Sequence, residues 1–168
     1  MFKWLKKKAA SRIEEFDMVA PIKGKVVSLE EVPDPAFSTK AMGDGIAIHP
    51  SEGRVTAPFA GKVAHVMEKS KHALIIEHES GVQVLIHVGI NTVSLKGQGF
   101  NPHVKVGDSI KAGQLLMEFD LDAIQQGGLP VITPVIVPDG QDMISHVEIL
   151  ESSSATSDVP VLRVHLKA

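Results

Sequence analysis

Glycine and proline interrupt this chain too often for any long helix to run through it. Fourteen glycines and ten prolines are spread over 168 residues, and the runs between them are short and rich in Val and Ile. Such runs read as strands, and the glycine and proline clusters that bound them read as turns. The candidate strands are Lys25 to Leu29, Gly45 to Ile48, Lys62 to Met67, Ala73 to Glu77, Val82 to Val88, Leu115 to Phe119, Val131 to Val137, Ser145 to Leu150 and Val161 to Leu166. Turns are expected at Gly43-Asp44-Gly45, Gly97-Gln98-Gly99, Gly107-Asp108 and Asp139-Gly140, where Gly and Asp supply the backbone conformations that tight reversals need. Short helical turns fit Ala36 to Lys40 and Leu121 to Gln125. The pattern predicts an all-β protein, an antiparallel β-sandwich or flattened barrel with short helical turns.

Charge divides the chain unevenly. Lys3, Lys6, Lys7, Lys8 and Arg12 place five positive charges and no acid in the first twelve residues, and the rest carries 12 basic and 20 acidic residues. A body of net charge −8 argues against nucleic-acid binding, which needs a basic face. No apolar run approaches the ~20 residues of a membrane helix, and no apolar region follows the lysines as a secretory signal requires. The absence of cysteine excludes disulfides, a thiol nucleophile and thiolate metal sites. These features predict two parts. Residues 1–18 form a basic amphipathic tail, disordered or membrane-associating, and residues 19–168 form the β-sandwich domain.

Two segments share a cadence. Val19 to Val27 (VAPIKGKVV) is echoed by Val55 to Val63 (VTAPFAGKV), which suggests two related hairpin units in one sheet. A further hairpin is expected around Glu79-Ser80-Gly81. A two- or four-residue loop there pairs residues whose numbers sum to 159, so His72 faces His87, and Ala73 and Ile75 meet Ile86 and Val84 on the core side.

A cross-strand histidine pair has a chemistry of its own. Neutral imidazole is a nucleophile near pH 7 and can take a phosphoryl group on a ring nitrogen. A second imidazole can donate to the phosphate charge that develops during transfer. Ser70, two positions before His72, can orient that ring through its hydroxyl. Gly89, two after His87, permits close backbone approach and a carbonyl partner for the nucleophile's other nitrogen. Spacing alone leaves open that these are two half-exposed strand histidines.

Several motifs then narrow the choice. Val32-Pro33-Asp34, Met42-Gly43-Asp44-Gly45-Ile46-Ala47-Ile48-His49-Pro50, Leu85-Ile86-His87-Val88-Gly89-Ile90, Thr92 to Phe100, Val106-Gly107-Asp108 and Thr133-Pro134-Val135 occur in order between Val19 and Leu166. Together they resemble the glucose-type enzyme IIA component of the bacterial phosphoenolpyruvate-dependent sugar phosphotransferase system. The resemblance implies an antiparallel β-sandwich and a phosphotransferase component with a phosphohistidine intermediate. It implies that His87 accepts phosphate at Nε2 from the histidine phosphocarrier protein and passes it to a cysteine of an enzyme IIB domain, for sugar uptake. It also implies that His72 contacts the phosphate and that Ser70 orients His72, with Asp34 and Phe37 on the partner-binding rim. Asn91 stands where many members have aspartate, which keeps hydrogen bonding at that rim position and removes a charge. No cofactor and no metal are implied. The implied location is cytoplasmic, or peripheral at the inner face of the cell membrane.

Other classes fit less well. The alternative is a regulatory binding module that uses the same histidine surface without efficient phosphoryl turnover. Val106 to Gln114 also resembles lipoyl- and biotinyl-carrier domains, but Met67-Glu68-Lys69 lacks their symmetric lysine hairpin. A related zinc peptidase needs a His-x-His motif, which is absent. His49, His65, His78, His103, His146 and His165 read as surface or half-buried polar residues.

Phe2, Leu5, Ala9, Ile13 and Phe16 recur at near-helical spacing among the N-terminal lysines, with Trp4 beside them. Such a segment is expected to lie on an anionic membrane through residues 1–16, gaining about 1 kcal/mol per lysine near the surface. Trp4 is the only tryptophan and there is no tyrosine, so its fluorescence reports this segment. Anionic vesicles should shift the emission to the blue, neutral vesicles much less, and an unchanged spectrum at low salt would refute the membrane contact.

Overall fold

The computed structural model describes residues 13–150 and 159–168. Its strands pair antiparallel throughout and form three sheets. The largest has seven strands, in the order β2 (Gly24–Ser28), β3 (Gly43–Pro50), β11 (Thr133–Pro138), β7 (Gln83–His87), β6 (Ala73–His78), β5 (Gly61–Val66) and β9 (Ser109–Ile110). A three-stranded sheet runs β1 (Glu15–Val19), β13 (Pro160–Leu166), β12 (Ile144–Ile149), and another runs β4 (Arg54–Thr56), β10 (Leu115–Phe119), β8 (Phe100–Pro102). The helices α1 (Pro35–Ser38) and α2 (Leu121–Gln126) are short and capped by Asp34 and Asp120. The expected all-β antiparallel sandwich with short helical turns is therefore the observed architecture. Among the described residues no helix is long and apolar enough to cross a membrane.

Alternation along the strands divides the apolar residues into two sets. Ile46, Ile48, Leu74, Ile76, Val84, Ile86, Val135 and Val137 pack in the main core with Met18, Val55, Met117 and Leu162 from the smaller sheets. Their neighbours Ala47, Ala73, Leu85 and Ile136 point to the opposite face. There they form a second cluster with Leu29, Val32, Phe37 and Ile90. The candidate site lies on that second face.

The repeated cadence has a structural counterpart. Val19 N–H donates to Pro58 C=O (3.2 Å), and Thr56 N–H donates to Pro21 C=O (2.7 Å). With Ala20-Pro21 matched to Ala57-Pro58, these two bonds are the same bond made in each direction. The correspondence extends further: β1-β13-β12 matches β4-β10-β8, and β2-β3-β11 matches β5-β6-β7. The second unit lies wholly between β3 and β11 of the first, so one half of the molecule is inserted into the other.

Three expectations need correction. Glu15–Val19 is a strand paired with β13, and Met18 is fully buried, so residues 15–18 belong to the domain and not to the tail. Phe16, counted above in the apolar stripe of the tail, stacks on His78 at a ring separation of 3.6 Å. The remainder of that tail, residues 1–12, lies outside the described residues. Secondly, Gly43-Asp44-Gly45 is not a turn but the start of β3, paired with Pro138, Val137 and Ile136. Thirdly, the β6–β7 loop has three residues: Ala73 pairs with His87 and Glu77 with Gln83, a sum of 160. Gly81 N–H donates to His78 C=O (2.8 Å), and Gly81 takes the positive φ of +92° that such a loop requires. Leu74 and Ile76 thus face the main core, with Ala73 and Ile75 on the outer face. The short strands β1, β4, β8 and β9 escaped the sequence reading because two to five residues carry little periodicity.

Glycines within strands mark close backbone contacts. A Cβ at Gly45 would stand 2.0 Å from the carbonyl oxygen of Val135, whereas one at Gly107 meets nothing within 4 Å. Gly45→Ala should lower stability by about 3 kcal/mol through this overpacking, against about 1 kcal/mol for Gly107→Ala, whose cost is only its left-handed backbone. Urea denaturation of the two variants checks the order.

Candidate active site

The ladder between β6 and β7 ends at the pair Ala73–His87. One further bond continues it, from Val88 N–H to His72 C=O at 2.8 Å. Lys71 just before adopts φ +57°, which takes the chain off the strand path and lets the His72 ring reach His87. The two rings meet edge to face with centroids 4.6 Å apart. The histidines are therefore neighbours in the 160 register too, because His72 lies just outside β6 and is not bound by its pleat.

His87 is half-buried at the end of β7. Its Nδ1 lies 2.8 Å from the carbonyl oxygen of Gly89. A carbonyl only accepts, so Nδ1 carries the proton and Nε2 is left with its lone pair. Burial lowers the His87 pKa, while the Gly89 carbonyl and the charge of Asp34 act in the opposite direction. The ring of Phe37 sits 5.1 Å away at 55°, on the second apolar cluster. Asp34 reaches this neighbourhood as the cap of α1, accepting from Ala36 N–H at 3.0 Å.

His72 is 5% exposed, and its Nδ1 lies 2.8 Å from the hydroxyl of Ser70, which is itself buried. Burial, with a smaller contribution from His87, lowers its pKa to about 4. Both imidazoles are consequently neutral near pH 7. That suits one as a nucleophile and keeps the pair free of mutual charge repulsion.

Gly89 adopts φ +70°, and a Cβ there would stand 2.6 Å from Thr92 Cγ2 and 2.9 Å from Pro130 O, so only glycine fits. Its N–H donates to Thr133 Oγ1 at 3.3 Å, while Thr92 Oγ1 donates to Val88 C=O. Asn91 is exposed with φ +60° at the entry of the 3-10 turn Thr92–Leu95, and its side chain makes no capping bond. Asparagine is one of the few residues that accept this left-handed backbone readily.

His72, His87, Ser70, Gly89, Phe37 and Asp34 are thus brought together, whereas the Asn91 side chain enters none of these contacts. Thr92 and Thr133 were missed as supports. Both lie in quoted motifs, but a buried hydroxyl that holds a backbone amide leaves no mark in spacing. Several of the other histidines have partners the sequence did not reveal: His78 stacks on Phe16 and meets Phe59 edge to face, and His103 and His165 meet Glu118 and Glu148, both at 2.8 Å. Among the described residues no three or more His, Asp or Glu side chains are grouped to hold a metal ion.

The low pKa of His72 has a consequence for stability. Between pH 6.5 and 4 the unfolded chain binds a proton on His72 that the folded protein refuses, so stability falls as pH drops through that window. The loss from this group between pH 7 and pH 5 is expected to be about 2 kcal/mol. Urea midpoints at the two values measure it, and His72→Gln should flatten the dependence.

The chain is similar to known proteins in sequence and in fold. The family model described as phosphoenolpyruvate-dependent sugar phosphotransferase system, EIIA 1, matches residues 16–143. A glucose-specific EIIA component from Oceanobacillus iheyensis is 40% identical over 161 residues, covering 95% of this chain and 97% of the relative. Another from Halalkalibacterium halodurans is 42% identical over 151 residues, covering 90% and 84%. Among solved structures, glucose permease IIA from Mycoplasma capricolum superposes with a TM-score of 0.77 at 31% identity, covering 90% of this chain and 96% of that one.

Proposed function

This chain belongs to the EIIA 1 family of the phosphoenolpyruvate-dependent sugar phosphotransferase system, and on that premise we propose that it carries phosphate on His87 Nε2. The donor is the histidine phosphocarrier protein, and the acceptor is the cysteine of an enzyme IIB domain, which lies outside these 168 residues because they contain no cysteine. The relatives named glucose-specific support glucose as the sugar served, and the family role supports the cytoplasm as the place of the proposed transfer.

The observation that carries this reading is the Nδ1–Gly89 carbonyl bond, because it leaves Nε2 as the free lone pair. In the first transfer the Nε2–phosphorus bond forms as the carrier's nitrogen–phosphorus bond breaks, its electron pair returning to the carrier's ring. The His87 ring gains positive charge, and the Gly89 carbonyl stabilises that charge through Nδ1–H. With Ser70 donating to His72 Nδ1, His72 presents Nε2–H to the phosphoryl oxygens. In the second transfer a thiolate attacks phosphorus, and the electron pair returns to His87 Nε2. Phe37 and Asp34 border the site where both partners must dock, and Asn91 gives that rim a neutral position.

Incubation with phosphoenolpyruvate, enzyme I and the phosphocarrier should add one phosphoryl group by intact mass. His87→Gln should add none. His72→Gln should still be labelled on His87 yet pass the group on roughly a hundredfold more slowly, as loss of one charge-stabilising donor does. Labelling of His87→Gln would overturn the assignment, and a wild-type chain that binds the carrier without label would be a regulatory module.

A further inference from the structure

From the Val88 N–H to the Ile90 N–H, every backbone polar group of the turn after His87 is engaged. Val88 N–H donates to His72 C=O (2.8 Å) and Ile90 N–H to Pro130 C=O (3.1 Å). Val88 C=O accepts from Thr92 Oγ1, and Gly89 C=O accepts from His87 Nδ1–H (2.8 Å). The remaining group, Gly89 N–H, is taken by Thr133 Oγ1 (3.3 Å). Thr133 is fully buried, and its hydroxyl proton is committed to Val131 C=O at 2.9 Å. The oxygen therefore faces Gly89 with lone pairs only, so the direction of the bond is fixed.

Backbone pairing does not supply this contact. The ladder between β11 and β7 consists of Val135 with Ile86 and Ile136 with Leu85, and the next residue toward the site is Pro134, which has no N–H to give. Beyond that gap the only tie between β11 and the His87 turn through the Gly89 amide is the Thr133 side chain. The Val88–Gly89 peptide is therefore held at its C=O end by Thr92 Oγ1 and at its N–H end by Thr133 Oγ1. The next peptide, Gly89–Ile90, whose carbonyl faces His87 Nδ1, is joined to it at Gly89 Cα, where a glycine gives no side-chain restraint of its own.

Resting on the carrier reading above, we propose that Thr133 is a positioning residue for phosphoryl transfer. By fixing the Val88–Gly89 peptide it sets the plane from which the following Gly89 carbonyl is directed at His87 Nδ1, and so keeps Nε2 deprotonated and aimed outward. Thr133 touches neither phosphate nor partner. It acts through Gly89, and it comes from a different part of the chain than the two histidines.

The test compares wild type with Thr133→Val, which keeps the shape and removes the hydroxyl, and Thr133→Ser, which keeps the hydroxyl. Two quantities are read on folded protein: the ring 15N shifts of His87, which report the tautomer, and the rate of label uptake from the phosphorylated carrier. Wild type should show a protonated Nδ1 and a bare Nε2. Thr133→Val should show mixed tautomers and uptake slowed about tenfold or more, the scale that misalignment of a reacting group produces. Thr133→Ser should restore both. If Thr133→Val is merely less stable, with wild-type shifts and rate, the proposal fails. If Thr133→Val does not fold, wild-type shifts and rate in Thr133→Ala decide against it and altered ones in its favour. A wild type that takes no phosphate refutes the carrier reading, whereas the ring shifts still judge the link from Thr133 to His87.

Discussion

The hydrogen bond from Val88 N–H to His72 C=O is the constraint on which the site depends. It is the last link of the β6–β7 ladder, and it joins the residue after one histidine to the backbone of the other. One residue inside it, Ala73 and His87 obey the pleat; at it, the chain has already left the strand through the left-handed Lys71. His87 inherits its direction from the sheet, while His72 takes its direction from a turn. Two rings in edge contact at 4.6 Å therefore arise from two different kinds of backbone.

The electrostatic state of the pair follows from where this happens. The rings sit over the outer apolar cluster of Leu85, Ala73, Ile90 and Phe37, which removes water from them and disfavours protonation. The Gly89 carbonyl then decides which nitrogen of His87 keeps a proton. Shielding by apolar neighbours and one oriented peptide together leave an uncharged ring with a defined basic atom, and no nearby base is needed to activate it.

Much of this was legible in the sequence, for reasons that can be named. Val and Ile alternation located the longer strands, and the Glu79-Ser80-Gly81 break located the hairpin, because both signals are local. The register was not legible: loops of three and four residues share the same composition, and the choice turned on the φ of Gly81. Gly43 and Gly45 misled because a glycine that permits a turn and one that admits a neighbouring carbonyl are the same letter. Phe16 and Met18 were assigned to the tail because the lysines before them outweigh a five-residue strand whose partner lies near the other end of the chain. The pairing of His72 with His87 was anticipated through a register that does not occur, and the two rings meet instead because the chain leaves the strand path at Lys71.

The nesting of one half of the molecule inside the other has a consequence for biosynthesis. Strands β4 to β10 are contiguous, and the hairpins among them close short loops, whereas β3 must wait for β11, about eighty residues later, before it gains its second neighbour. Closing so long a loop is entropically costly and slow. As the chain leaves the ribosome, both histidines are made and can meet while β11 is still unsynthesised. The turn that aims His87 stays unbraced until Thr133 arrives. A nascent or truncated chain would thus display the histidine pair before the outer half had closed around the inner one.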